Sequence, residues 1–407
     1  MKKYLLITGL SALIWMLAGC SAKQPTAPQQ LASDAYFHRY VALGNSLTAG
    51  FQSGGMRQDW QAVSYPALIA QQLGIEGFQQ PLIAAPGIGT SKTAEGYPMT
   101  PMYLDPAKGI TADPLTVNPL TLLVNALVAQ PYHNLGIPGA TTRDLLMTTS
   151  SQNSQVVGNS FFDMILRNPN LNNTTALKQA ILMSPGLVTL WIGNNDILGG
   201  VLSGTIVPGT TVTPSAYYQQ FMEQILDSLL LQTQAEIFMA NIPPITAIPY
   251  VTTLPTILID PVTFQPVPGN ILLDLQESDV QYVLLSAMSL MQQGYGIPGN
   301  NKPLPGTVTL TTSEAASAQQ LVSEYNQYLS AKAAEEARIH LVDTYQLMVD
   351  LANGSVSGLS SNFILVDSHS AFSLDGVHPN SAGYKQVANL FIAKINEVLG
   401  TQVVSVP

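Results

Sequence analysis

Four short stretches of this 407-residue chain carry side chains and backbone groups that could do chemistry together: Gly44-Asn45-Ser46-Leu47, Asn134-Leu135-Gly136-Ile137-Pro138-Gly139, Gly193-Asn194-Asn195-Asp196 and Asp375-Gly376-Val377-His378. Cleaving an ester through an acyl-serine needs a hydroxyl, a base to deprotonate it, a group to orient that base, and donors for the oxyanion. Ser46 offers the hydroxyl and His378 the base, with Asp375 three residues earlier to hold the imidazole tautomer and stabilise the imidazolium. The backbone N–H groups of Ser46 and Gly139 and the side-chain amide of Asn195 would meet the developing oxyanion. No Gly-x-Ser-x-Gly elbow surrounds Ser46, which argues against the α/β-hydrolase arrangement.

Each residue also has a purely architectural explanation. Ser46 could cap a helix beginning near Leu47, Gly139 could be a turn glycine, Asn195 could be a turn residue before a capping Asp196, and His378 could lie in a surface loop. Asp367-Ser368-His369 is a competing Asp/His pair close by in sequence, and His38, His133 and His340 are the remaining imidazoles. His378 is preferred over these because Asp375 precedes it by three, Pro379 follows, and a strong amphipathic pattern begins just after.

The elements that must position these groups follow from hydrophobic pattern. Tyr40 to Leu43, Leu187 to Ile192, Glu236 to Ala240 and Ile339 to Asp343 read as buried strands, with a weaker one leading into Asn134. Helical periodicity follows Pro214, placed at a first helical position, runs from Ser313 to about Ala337, and repeats from Tyr384 to Ile395 with Gly400 as a stop. Strands alternating with such helices predict an α/β fold: a doubly wound, mostly parallel five-stranded sheet in a three-layer sandwich. Ligands on such sheets bind beyond the carboxyl ends of the strands. Ser46, Gly139 and Asn195 each follow a predicted strand end, so residues distant in sequence can converge on one rim.

In residue type and order these blocks resemble the SGNH hydrolases, also called the GDSL family, over about residues 38 to 400. The resemblance implies a flavodoxin-like sandwich and a serine esterase or lipase. Asn45 departs from it, standing where the family's first block usually has Asp, whereas Pro379 and Asn380 to Tyr384 fit its usual continuation after the histidine. Residues of about 52–130 and 248–310 read as insertions, the second with an apolar helix around Tyr282 to Met291; long insertions beside a site shape its pocket.

Lys2 and Lys3 precede an apolar run from Tyr4 to Ala18, shorter than the roughly 18 residues of a membrane span, so residues 1–19 read as a signal peptide. Leu17-Ala18-Gly19-Cys20 matches the bacterial lipobox, whose cysteine is acylated, and Cys20 is the sole cysteine. Residues 20–36 then form a tether, and 37–402 the hydrolase domain. Ser21 fits the pattern of export to the outer membrane in a Gram-negative host. With 25 acidic against 15 basic residues the chain does not invite nucleic acid, while 46% hydrophobic and 10% charged residues indicate a large core. No zinc-type ligand spacing occurs, so neither metal nor organic cofactor is expected. The function expected is an extracytoplasmic, lipid-anchored ester hydrolase acting on acyl lipids, acylated glycans or small esters. An acetyl-removing glycan esterase, and a non-catalytic lipoprotein binding a carbohydrate or protein, are the alternatives.

Overall fold

The computed structural model describes residues 39–168, 170–260 and 263–407. The expected signal peptide, Cys20 and the tether lie outside the described residues, as does His38. Five strands form the central sheet: β1 Tyr40–Gly44, β2 Asn134–Gly136, β3 Leu187–Trp191, β4 Glu236–Ala240 and β5 Ile339–Val342. All pairings are parallel and the spatial order is 2-1-3-4-5. The direction of winding therefore reverses between β1 and β3, which is where an open sheet leaves a crevice for ligand.

The near-continuous apolar strands are explained by cover on both faces. Val41, Leu43, Val188, Leu190, Ile237 and Met239 point into one core, with Met222, Ile225 and Leu229 of helix Ser215–Gln232 and Val322, Tyr325 and Leu329 of helix Thr312–Glu335. The alternate residues Tyr40, Ala42, Leu187, Trp191, Phe238 and Ala240 face a second core with helices Tyr65–Gln72 and Ser381–Leu399. Parallel neighbours need crossovers of this kind. β2 gave a weak pattern because it starts on a buried polar residue. Asn134 donates to Thr48 O and Gln80 Oε1 and accepts from Gly136 N, so its burial is fully compensated.

Helix ends follow local chemistry. Thr311 and Glu314 form a reciprocal capping box, and Gly400 ends the last helix at φ 65°. Pro214 stands one place earlier than expected: it is the N-cap, and Ser215 is the first helical residue.

The two expected insertions differ from the sequence reading. Helix Tyr65–Gln72, inside the first, is part of the second core, with Tyr65 and Ile69 fully buried, so that segment is not all peripheral. The second segment builds a satellite core from Leu254, Ile259, Leu273, Val283, Leu304 and Val308. Within it, the expected helix around Tyr282 to Met291 is split. Val280–Val283, with valines at both ends and Tyr282 between, pairs as a strand with Thr309–Thr311, and only Ala287–Met291 is helical. Among the described residues no helix is long and apolar enough to cross a membrane, and no cluster of three or more His, Cys, Asp or Glu is placed to hold a metal ion.

Candidate active site

The turn after β1 is too tight for any side chain at its first position. A Cβ on Gly44 would lie 2.1 Å from Thr48 Oγ1 and 2.4 Å from Trp191 O. Asn45 is then the N-cap of the short helix Ser46–Ala49, its side-chain oxygen accepting from Leu47 N at 3.0 Å. Capping therefore falls to Asn45 and not to Ser46, whose hydroxyl is left free for another partner. The Asn45 amide also donates to Asn194 Oδ1 at 3.1 Å, tying the turn after β1 to the turn after β3. An ionised Asp could accept from Leu47 but could not donate to that oxygen.

The partner of Ser46 is His378. Ser46 Oγ lies 2.8 Å from His378 Nε2, and His378 Nδ1 lies 2.9 Å from Asp375 Oδ2. Ser46 is 6% exposed, and the His378 and Asp375 side chains 13% and 8%. Asp375 is held from several sides: Oδ1 accepts from Val377 N, His378 N and Ser373 Oγ, and Oδ2 also accepts from Gly54 N at 2.7 Å. Burial alone would raise its pKa, but the adjacent imidazole and these donors outweigh it and hold the carboxyl below its ordinary value. The loop turns through Gly376 at φ +68°, whose carbonyl accepts from Tyr250 N in the second insertion. The Phe51 ring packs 4.6 Å from the imidazole.

Gly139 lies in the turn after β2 at φ +80°, a conformation L side chains rarely adopt. Asn195 opens helix Asn195–Leu202, with Asn194 as its N-cap. Its Nδ2 donates to Ala140 O at 2.9 Å, which leaves the second amide hydrogen uncommitted. Among the described residues, neither Ser46 N–H nor Gly139 N–H has a protein acceptor. Asp196 does not cap its own helix. Its buried carboxylate accepts from Thr142 N at 2.9 Å and Thr142 Oγ1 at 2.7 Å, and burial pushes its pKa up to about 6 against the opposing effect of those donors.

Ser46, Asn195 and His378 open onto a cavity of about 800 Å³, mouth included, lined mainly by apolar side chains such as Leu47, Leu198, Ile245, Ile248, Leu347 and Met348. Its walls come from the segments after β3, β4 and β5. Gly139 lines a neighbouring groove, with Asn195 facing both. The cavity walls, the Asn45–Asn194 pair and the Gly54 donor were not read from the sequence. The doubled Asn in Gly193-Asn194-Asn195-Asp196, with Asn45 in the first block, is the one signal that could have suggested an amide pair.

The other described histidines are engaged elsewhere. His369 pairs with Asp367 at 3.2 Å but its side chain is 72% exposed, His340 bonds Glu236, and His133 Nδ1 accepts from Gln79 N. The arrangement around Ser46 can carry a proton from hydroxyl to imidazole while a carboxylate steadies the resulting cation, beside uncommitted N–H donors.

No curated relative matches the chain. Among solved structures, the family 3 carbohydrate esterase of Clostridium thermocellum is similar over 89% of this chain and 96% of its own, at 13% identity and a TM-score of 0.35. Residues 40–391 match the model of the GDSL-like lipase/acylhydrolase family, spanning β1 to the last helix and all four blocks. The chain thus belongs to the GDSL-like lipase/acylhydrolase family, hydrolases that act on esters.

Proposed function

We propose that this protein is an extracytoplasmic, lipid-anchored serine esterase that cleaves carboxylic esters with apolar acyl chains through an acyl-Ser46 intermediate. The observation that carries the catalytic part is the hydrogen-bonded series Ser46–His378–Asp375 opening onto an apolar cavity. In this reading His378 Nε2 removes the Ser46 proton as Oγ attacks the ester carbonyl, then returns it to the leaving alcohol. A water then repeats the sequence on the acyl-enzyme. Asp375 keeps the Nδ1 proton in place and stabilises the imidazolium, while Ser46 N–H, Gly139 N–H and the free hydrogen of Asn195 receive the oxyanion. The acyl chain lies in the cavity against Leu347, Met348 and Ile248, which favours it over acetyl as the group transferred. Anchoring rests on the lipobox at Cys20, with Ser21 favouring the outer membrane of a Gram-negative host.

A nitrophenyl ester series tests the catalytic part beside acetylated polysaccharide and a Ser46→Ala control. Burial of about 0.8 kcal/mol per methylene gives kcat/KM rising by up to about fourfold per added methylene until the cavity is filled. A maximum at acetyl would assign the acetyl-removing alternative instead. Metabolic labelling with a palmitate analogue tests the anchor: wild type carries the label and Cys20→Ala loses it, and retention of label by that variant would refute the lipobox reading.

A further inference from the structure

The turn that carries Gly139 is closed locally by Ala140 N donating to Ile137 O at 3.0 Å. It runs Pro138-Gly139-Ala140-Thr141 between a three-residue strand and helix Thr142–Met147, and Gly139 has positive φ. Asn159 Nδ2 donates to Pro138 O at 2.8 Å, and two consecutive residues of another element hold the rest of the turn from across the crevice. Asn195 donates from Nδ2 to Ala140 O, and Asp196 accepts both the N–H and the hydroxyl of Thr142. Those bonds bracket the peptide units on either side of Thr141, so the segment Ala140 to Thr142, directly after Gly139, is pinned to the first turn of helix Asn195–Leu202.

Asp196 is itself fixed in turn. Its backbone carbonyl accepts from Thr213 N at 2.7 Å, and the carbonyl of Thr213 accepts from the Tyr325 hydroxyl on helix Thr312–Glu335. An acidic residue in the first turn of a helix ordinarily serves that helix's own free N–H groups. Asp196 instead serves the N-terminus of helix Thr142–Met147, whose other cap is the reciprocal pair Thr141 and Asp144.

We infer that Asp196 and Thr142 form a clamp that aligns the Gly139 N–H with the Asn195 amide, making Asp196 a positioning residue for the oxyanion site. This rests on the proposed esterase reading, because the clamp matters to catalysis only if those donors receive an oxyanion. Alignment is demanded when charge develops, whereas the acyl chain is bound by the cavity on the far side of Asn195. Loosening the clamp therefore lowers kcat and leaves KM nearly unchanged.

The test uses the full chain and three variants on a nitrophenyl ester that wild type hydrolyses. Thr142→Val removes the hydroxyl but keeps the backbone N–H, Thr142→Ser restores the hydroxyl, and Asp196→Asn replaces an acceptor with an amide. Thr142→Val is expected to lose about tenfold in kcat, a fraction of the hundredfold or more that follows outright loss of one donor, with KM within about twofold. Thr142→Ser should recover most of that loss, and Asp196→Asn should exceed it. Should Asp196→Asn fail to fold, the threonine pair decides the matter. A rise in KM at constant kcat, or kcat unchanged in Thr142→Val, would overturn the clamp. Absence of Ser46-dependent hydrolysis in wild type would instead overturn the esterase reading.

Discussion

Asp375 and Asp196 are both buried carboxylates beside the same crevice, yet their environments push them in opposite directions. Asp375 faces an imidazole and receives hydrogen bonds from three backbone N–H groups, Ser373 and His378, so its ionised form is favoured despite burial. Among the described residues Asp196 has no cationic partner. Burial outweighs the donors on Thr142 and Thr213, the charge of Asp144 adds to the effect, and its pKa rises to about 6. Burial raises the pKa of both groups, and the imidazole together with the extra donors on Asp375 reverses the sign there. One carboxylate is built to answer a charge that appears on His378, the other to fix backbone geometry.

The largest predicted effect breaks the first side of this comparison. Asp375→Asn keeps shape but loses the charge and can present the wrong tautomer partner to His378, so kcat should fall by about 10⁴ with a correctly folded protein, measured on any ester that wild type turns over. Asn195→Ala should follow with about a hundredfold or greater loss in kcat and little change in KM, because its free amide hydrogen acts on charge formed only in the transition state. A pure KM effect would assign Asn195 to substrate binding.

The smallest effect sharpens the comparison through stability. Asp375, with a lowered pKa, contributes stability that is present above the ordinary carboxylate value and lost as pH falls through its folded value. Asp196 does the reverse. With a folded pKa of about 6 against an ordinary 3.8, the folded state holds its proton more tightly than the unfolded chain, so stability falls as pH rises from about 4 to about 6. The cost is about 3 kcal/mol by linkage. Thermal unfolding across that range should show the decline in wild type and a flatter profile in Asp196→Asn. A wild-type profile that rises throughout would contradict the assignment.

What the sequence revealed and what it hid divide along the same physical line. Strands β1, β3, β4 and β5 were legible because both faces are covered and the runs are nearly all apolar, whereas β2 was faint because Asn134 is buried on hydrogen bonds to Thr48 and Gln80. The residues that meet at Ser46 were legible as blocks because each lies at an element end. Their supports were not. Gly54 and Tyr250 bond the Asp375 loop, and Thr142 bonds Asp196, across long separations in the chain, and a contact such as Gly54 N to Asp375 Oδ2 leaves no periodicity to read. The same holds for the cavity, whose apolar walls are drawn from several separate loops and helices. Capping falls to Asn45 over Ser46 because the helix starts at Ser46 and not near Leu47, a one-residue boundary that no spacing encodes.

The central claim is that Ser46 is a nucleophile activated by His378. Reaction of the purified protein with a fluorophosphonate probe, followed by peptide mass spectrometry, tests it most directly. A single adduct on Ser46 is expected, absent in Ser46→Ala and formed much more slowly in His378→Ala. Labelling that survives Ser46→Ala, or ester hydrolysis by a protein whose Ser46 stays unmodified by the probe, would contradict it.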